Sequence, residues 1–294
     1  MIFFINDNIR NARTNKTRTH ATGRPALLLA LLMMVCATMT AAAQTVTADS
    51  LIARQMREQG VEFSNDNSVT LLMSGQEKFD DMFKAIRQAR SSVHLEYFNF
   101  RNDSIASLLF DILAEKASQG VEVRVLFDGF GNDSNNQPLK KRHLEKLRQR
   151  GVDIHEFDPL RFPWVNHVFH RDHRKIVVID GQIAFTGGVN LADEYINKIV
   201  RFGYWKDSGV RLDGPGAASL ANIFLTFWKA KYPDEDLDAD CDLPAAVPVE
   251  TDCLVQPFAD TPVDREAVAK NVYLELINQA QKRLYICTPF SIRT

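Results

Sequence analysis

Between Val69 and Phe157 the chain switches repeatedly between two hydrophobic periods, and that alternation leaves few folds open to it. Val69 to Met73 is a short β-type run. Gln76 to Arg90 then places Phe79, Met82, Phe83, Ile86 and Ala89 on one helical face. Val93 to Phe98 reads as a strand and Ser104 to Ser118 as a helix stopped by Gly120. Val121 to Phe127 reads as a buried strand, Leu139 to Arg150 as a helix and Val152 to Phe157 as a strand. Strands alternating with helices of this length predict an α/β sandwich with a mixed, largely parallel sheet flanked by helices.

The ends of the chain have a different character. Arg10, Arg13, Lys16, Arg18 and Arg24 form a basic lead, an apolar run follows from Ala26 to Ala37, and Ala41-Ala42-Ala43 precedes Gln44. Basic, apolar, then small residues is the pattern of a signal peptide, or of an N-terminal membrane anchor where the run is extended by its alanines. The expected location is therefore the cell envelope, exported or membrane-associated. The formal net charge is −2, and removing residues 1–43 takes away five basic residues and one acid, leaving −6. So acidic a domain is not expected to bind nucleic acid, which rests on Lys and Arg neutralising phosphates. Cys241 and Cys253 can close a short disulfide loop in an oxidising compartment, or remain free as small hydrophobes.

Residues 44–68 read as a linker helix, 69–232 as the main domain and 233–256 as an acidic, proline-interrupted linker loop. The segment from Ile86 to Leu95 has a likeness in Ile277 to Ile286. Each ends a helix, crosses a basic turn, begins a strand, and reaches a phenylalanine (Phe98, Phe290) soon afterwards. Residues 257–294 are accordingly read as the start of a second, incomplete repeat.

Chemistry concentrates in the eighteen residues from His173 to Asn190. Alternation places His173 and Lys175 on one face of a strand. Ile176 to Ile179 is a buried run, Asp180-Gly181 is a hairpin signal, and Ile183 to Phe185 is the return strand. Gly187-Gly188 follows, where missing side chains let backbone N–H groups approach an anion, and Asn190 adds a side-chain donor. Phosphoryl chemistry without a metal needs an imidazole that works near neutral pH, together with positive charge and donors at the phosphate oxygens. His167, His170 and His173 lie three apart, a spacing that suits a helix, whereas His173 begins a strand. No metal and no cofactor are expected.

The pattern His-x-Lys-x4-Asp-x6-Gly-Gly-x-Asn resembles the signature of the phospholipase D superfamily, and its neighbourhood resembles bacterial cardiolipin synthases. Glu96-Tyr97, Gly120 to Arg124, Arg171, Glu194-Tyr195, Trp205-Lys206-Asp207 and Phe224 to Trp228 carry the likeness over roughly residues 69–290. The resemblance implies that His173 is the nucleophile of a phosphohistidine intermediate. It implies that Lys175, Gly187, Gly188 and Asn190 bind phosphate, and that Asp180, although part of the signature, holds the hairpin. Asp207 is implied as the acid that orients the histidine, fixing its tautomer, and Glu96 as a further acid behind the site.

The family site uses two such motifs, and this chain has one. The leading expectation is a phosphatidyltransferase of cardiolipin synthase type acting on phosphatidylglycerol at a membrane surface, incomplete as a single chain. Two other readings stay open. One is a homodimeric single-motif phosphodiesterase or nuclease, and the other an inactive envelope protein that binds anionic lipid headgroups.

Overall fold

Alternating periods produce alternating elements, each closed by a local cap. The computed structural model describes residues 4–5, 53–54, 56–58, 63–159, 169–201, 203–233, 249, 251, 253–260 and 267–286. The rest of the N-terminal segment, Cys241, most of the acidic linker, His167 and the repeat beyond Ile286 lie outside them. After β1 (Phe4–Ile5) come β2 (Ser64–Leu72), α1 (Gly75–Arg87), β3 (Ser92–Tyr97), α2 (Ser104–Ser118) and β4 (Glu122–Asp128). A short helix α3 (Gly129–Asp133), α4 (Lys141–Gln149) and β5 (Asp153–Phe157) follow. The hairpin β6 (Ile176–Ile179) and β7 (Ile183–Gly187) leads to β8 (Gly209–Asp213), α5 (Pro215–Lys231), β9 (Cys253–Val255) and α6 (Val268–Gln279).

Ser74 caps α1, its hydroxyl accepting from Glu77 N at 3.2 Å, and Asp103 caps α2 by accepting from Ala106 N at 3.2 Å. Such caps satisfy backbone donors that the first turn leaves without partners.

The strands form one sheet in the order β1-β9-β2-β8-β7-β6-β3-β4-β5. It is mixed, as expected, but only β3–β4 and β4–β5 are parallel, so the expectation of a largely parallel sheet is corrected. The reason is connectivity. Helical crossovers join β3, β4 and β5, whereas Asp180-Gly181 turns the chain straight back, and β6, β7 and β8 run antiparallel to their neighbours.

Strand parity sorts the core. Val93, Leu95, Val123, Val125, Phe127, Val177, Ile179 and Phe185 pack against Phe79, Met82, Ile86, Leu109 and Leu113 from α1 and α2 on one face. Ile176, Val178, Ala184 and Leu126 face Ala217, Leu220, Phe224, Phe227 and Trp228 of α5 on the other. The sheet is thus covered on both sides, which places the central strands in the dry interior. Cys253 in β9 has a free thiol. Among the described residues no helix is long and apolar enough to cross a membrane.

Asp180 ties the hairpin to the rest of the sheet. It stands at φ 53° in the turn, and its carboxylate accepts from Arg90 N, Ser91 N, Ser92 N and the Ser91 hydroxyl at 2.8 to 3.1 Å. Burial alone would raise its pKa, but the amides of Ser91, Ser92 and Arg90 outweigh burial and hold it below the usual aspartate value. Replacing Asp180 with Asn, which tolerates the positive φ, is expected to cost about 1.5–3 kcal/mol by urea denaturation. The parent should lose this contribution as pH falls below about 3.9, through the depressed native value, while Asp180→Asn shows no such acid-dependent loss.

Candidate active site

The segment 171–175 runs into β6 between two layers, and its alternating side chains divide between them. Arg174 points to the α5 side, where its guanidinium lies 4.2 Å from the centroid of Phe227. There Nη2 is 2.6 Å from Glu96 Oε1, and Nε donates to Asp172 Oδ1 at 3.1 Å. The Glu96 contact is an ion pair that is off line for a hydrogen bond. Burial pushes the Glu96 carboxyl well above the usual range, the neighbouring Asp172 adds to this, and Arg174 opposes it. Asp128, at the end of β4, accepts from Asp172 N at 2.8 Å and from Arg171 Nη1 at 3.1 Å.

With its neighbours held from behind, His173 faces the other way together with Lys175. Both meet Phe98, which follows β3: the imidazole centroid is 4.6 Å from the phenyl centroid, and Lys175 Nζ is 5.5 Å from it. Lys175 Nζ also donates to the His173 carbonyl at 2.6 Å. Burial lowers the His173 pKa, the Lys175 charge lowers it further, and Asp172 opposes them, so the imidazole is neutral at pH 7. Burial brings Lys175 down to about 8 against the attraction of Asp172, Asp207 and Asp128, so at pH 7 it remains mostly charged. A neutral nucleophile beside a cation is what attack on a phosphate diester requires.

The residues after the hairpin close the site. Asn190 Nδ2 donates to Tyr195 Oη at 3.2 Å, Tyr195 packs edge-on against Trp205 at 4.8 Å, and Trp205 Nε1 donates to Asp207 Oδ2 at 3.5 Å. Asp193 and Glu194 anchor this stretch. Asp193 accepts from Ile105 N at 2.9 Å and from the Ser104 hydroxyl at 2.8 Å, and Glu194 pairs with Arg101 at 2.6 Å.

Each of the other expected site residues is held by contacts of its own. Asp207 makes no hydrogen bond to the His173 ring among the described residues. Its carboxylate accepts from Ser208 N at 2.8 Å and attracts Lys78 and Lys175. Asp180 serves the far end of the hairpin. Gly187 and Gly188 owe their missing side chains to packing: a Cβ would stand 2.6 Å from Ser208 O at Gly187 and 2.5 Å from Asp207 Oδ1 at Gly188. The two glycines admit the chain that enters β8, and the Gly188 amide is directed at Ser208 O, 3.4 Å away. Glu96 faces Arg174, on the opposite side of the segment from the imidazole.

Lys78 is a residue the sequence did not single out. It is fully buried on α1, and its Nζ donates to Val189 O at 3.3 Å, between Gly188 and Asn190. Its stem runs where a Cβ at Gly209 would stand, 2.9 Å from Lys78 Cδ. Burial drives its pKa to about 7, Asp207 opposing and Lys175 assisting. The helical period marks position 78 as polar, and only the closure of β8 over α1 makes it buried.

A family profile described as "Cardiolipin synthase, PLD-like domain" matches residues 82–202. A probable cardiolipin synthase of Bacillus subtilis is 37% identical over 81% of this chain and 48% of its own length. A cardiolipin synthase of Halalkalibacterium halodurans is 35% identical over 82% of this chain and 47% of its own length. The chain spans about half the length of the curated relatives it matches. A crystal structure of a phospholipase D family member, Nuc from Salmonella typhimurium, aligns with a TM-score of 0.41 at 19% identity, covering 57% of this chain and 95% of that one.

Two titrations follow from the geometry. In histidine-labelled protein followed by NMR, His173 should titrate below the usual histidine value of about 6.5, and Lys175→Met should move it upward by removing a neighbouring positive charge. The second concerns stability. Lys78 binds its proton more weakly folded, at about 7, than unfolded at 10.5, so its contribution is complete above 10.5 and is lost as pH falls to about 7. Lys78→Met should flatten the rise in unfolding free energy between pH 7 and 9. An equally steep rise in the variant would contradict the placement of Lys78.

Proposed function

The chain belongs to the phospholipase D superfamily, and from that premise we propose that it carries a histidine half-site of a phosphatidyltransferase of cardiolipin synthase type. The observation that supports this reading is the meeting of His173 and Lys175 at the Phe98 ring, a neutral imidazole next to a cation. In the proposed reaction the imidazole attacks the phosphorus of phosphatidylglycerol. An N–P bond forms, the P–O bond to the headgroup breaks, and glycerol leaves with a proton. The primary hydroxyl of a second phosphatidylglycerol then attacks the phosphohistidine, loses its proton, and restores the imidazole.

Lys175 and the Asn190 amide supply charge and a donor at the phosphate oxygens as negative charge grows there. Asp207, beside the two lysines, keeps positive charge in the pocket at neutral pH. The proton for the leaving glycerol is assigned to a second histidine motif facing the first, as the family resemblance implies. The chain itself holds a single His-x-Lys pair. The exposed apolar residues Tyr273, Leu274 and Ile277 on α6 support a further body packing there. The basic and apolar N-terminal lead supports a location at the cell envelope.

A substrate that needs no acid isolates the step assigned to His173. A phosphatidyl p-nitrophenyl ester releases a stable phenolate, so the chain should give a burst of about one equivalent of nitrophenolate even where glycerol release is slowed by roughly 10²–10⁴-fold for want of a positioned acid. With the phosphorus radiolabelled, the protein should carry label that survives alkali and is lost in acid. His173→Ala should abolish burst and label together. A burst retained in His173→Ala would remove His173 as nucleophile.

A further inference from the structure

Between Asn197 and Asp207 the chain leaves the sheet as a loop whose ends are locked together. Asn197, at φ 57°, donates from Nδ2 to Trp205 O at 3.0 Å and accepts from Trp205 N at 2.6 Å. A reciprocal pair of hydrogen bonds thus closes the base of the loop. The tip exposes large apolar side chains: Ile199 is 48% exposed, Val200 69% and Tyr204 74%. Single exposed apolar residues are ordinary, but three within six positions on one closed loop are a patch.

The charges on the loop are all of one sign. Lys198, Arg201 and Lys206 lie between Asn197 and Asp207 with no acid among them, in a chain whose net charge is −2. Lys206 Nζ donates to Met73 O at 2.7 Å, which brings Met73, itself 51% exposed, beside the loop. Apolar side chains framed by cations fit the boundary of an anionic bilayer, where the apolar groups enter the acyl border and the cations stay among phosphates. The base of the loop is continuous with the site, because Trp205 touches both Tyr195, the partner of Asn190, and Asp207.

We propose that the loop from Lys198 to Tyr204 is the surface by which this chain docks on an anionic phospholipid bilayer, setting the His173 pocket at the level of the headgroups. The choice of a lipid surface rests on the phosphatidyltransferase reading. The exposed tip, the locked base and the single sign of charge are independent of it.

Hydrogen exchange of the full-length chain, read peptide by peptide, tests the proposal locally, so attachment through residues 1–43 cannot imitate it. With phosphatidylglycerol vesicles, amides of residues 198–204 should exchange several-fold more slowly than in buffer, and with phosphatidylcholine vesicles they should not. Ile199→Ser combined with Val200→Ser should abolish that protection. It should lower the rate on vesicle-borne ester roughly tenfold while leaving the burst from a soluble short-chain p-nitrophenyl ester unchanged. Vesicle-bound chain with residues 198–204 exchanging as in solution would overturn the proposal, as would equal protection on phosphatidylcholine. The two readings fail separately. Loop protection without a phosphohistidine label would refute the reaction and leave the docking surface, and a label without loop protection would do the reverse.

Discussion

The guanidinium of Arg174 holds the catalytic segment in place from behind. It occupies the position between His173 and Lys175 in sequence, yet it points to the opposite layer, where Glu96, Asp172 and the ring of Phe227 receive it. A buried cation is tolerated only where acids and an aromatic face replace its water. With Arg174 held there, His173 and Lys175 on either side of it in sequence reach Phe98 instead. Asp128 reinforces the arrangement by holding Asp172 N and Arg171. A buried charge network thus fixes the segment on which His173 and Lys175 stand.

The signature residues divide by the same logic. Asp180 spends its carboxylate on the amides of Arg90, Ser91 and Ser92, joining the hairpin to the turn before β3. Gly187 and Gly188 are small because Ser208 and Asp207 lie against them. A motif can thus be recognised as a unit while only part of it does chemistry and the remainder sets the distances.

Electrostatic balance in the pocket comes from three groups on three elements. Lys175 precedes β6, Lys78 lies on α1 and Asp207 leads into β8. Burial weakens proton binding by both lysines; Asp207 counters it at Lys78, and Asp172, Asp207 and Asp128 counter it at Lys175. Burial and the Lys175 charge keep the imidazole neutral at pH 7. Lys175 and His173 are thereby held at different protonation states at pH 7.

Much of this was legible in the residues. The helix from Ser104 to Ser118 has the bounds read from its apolar period and the Gly120 stop, and β6 coincides with the run Ile176 to Ile179. His173 and Lys175 precede β6 instead of lying in it, and both reach the Phe98 ring. Tertiary structure decided what depends on distant segments meeting. It made the sheet mostly antiparallel by folding the hairpin onto β3 and β8, and it buried Lys78, which on a lone helix is one more polar position. It turned Asp207 toward the lysines instead of the imidazole, and it gave the glycines a packing partner. Those outcomes rest on contacts between residues from about twenty to more than a hundred positions apart, such as Gly188 with Asp207 and Lys78 with Val189, and no local period carries information about them.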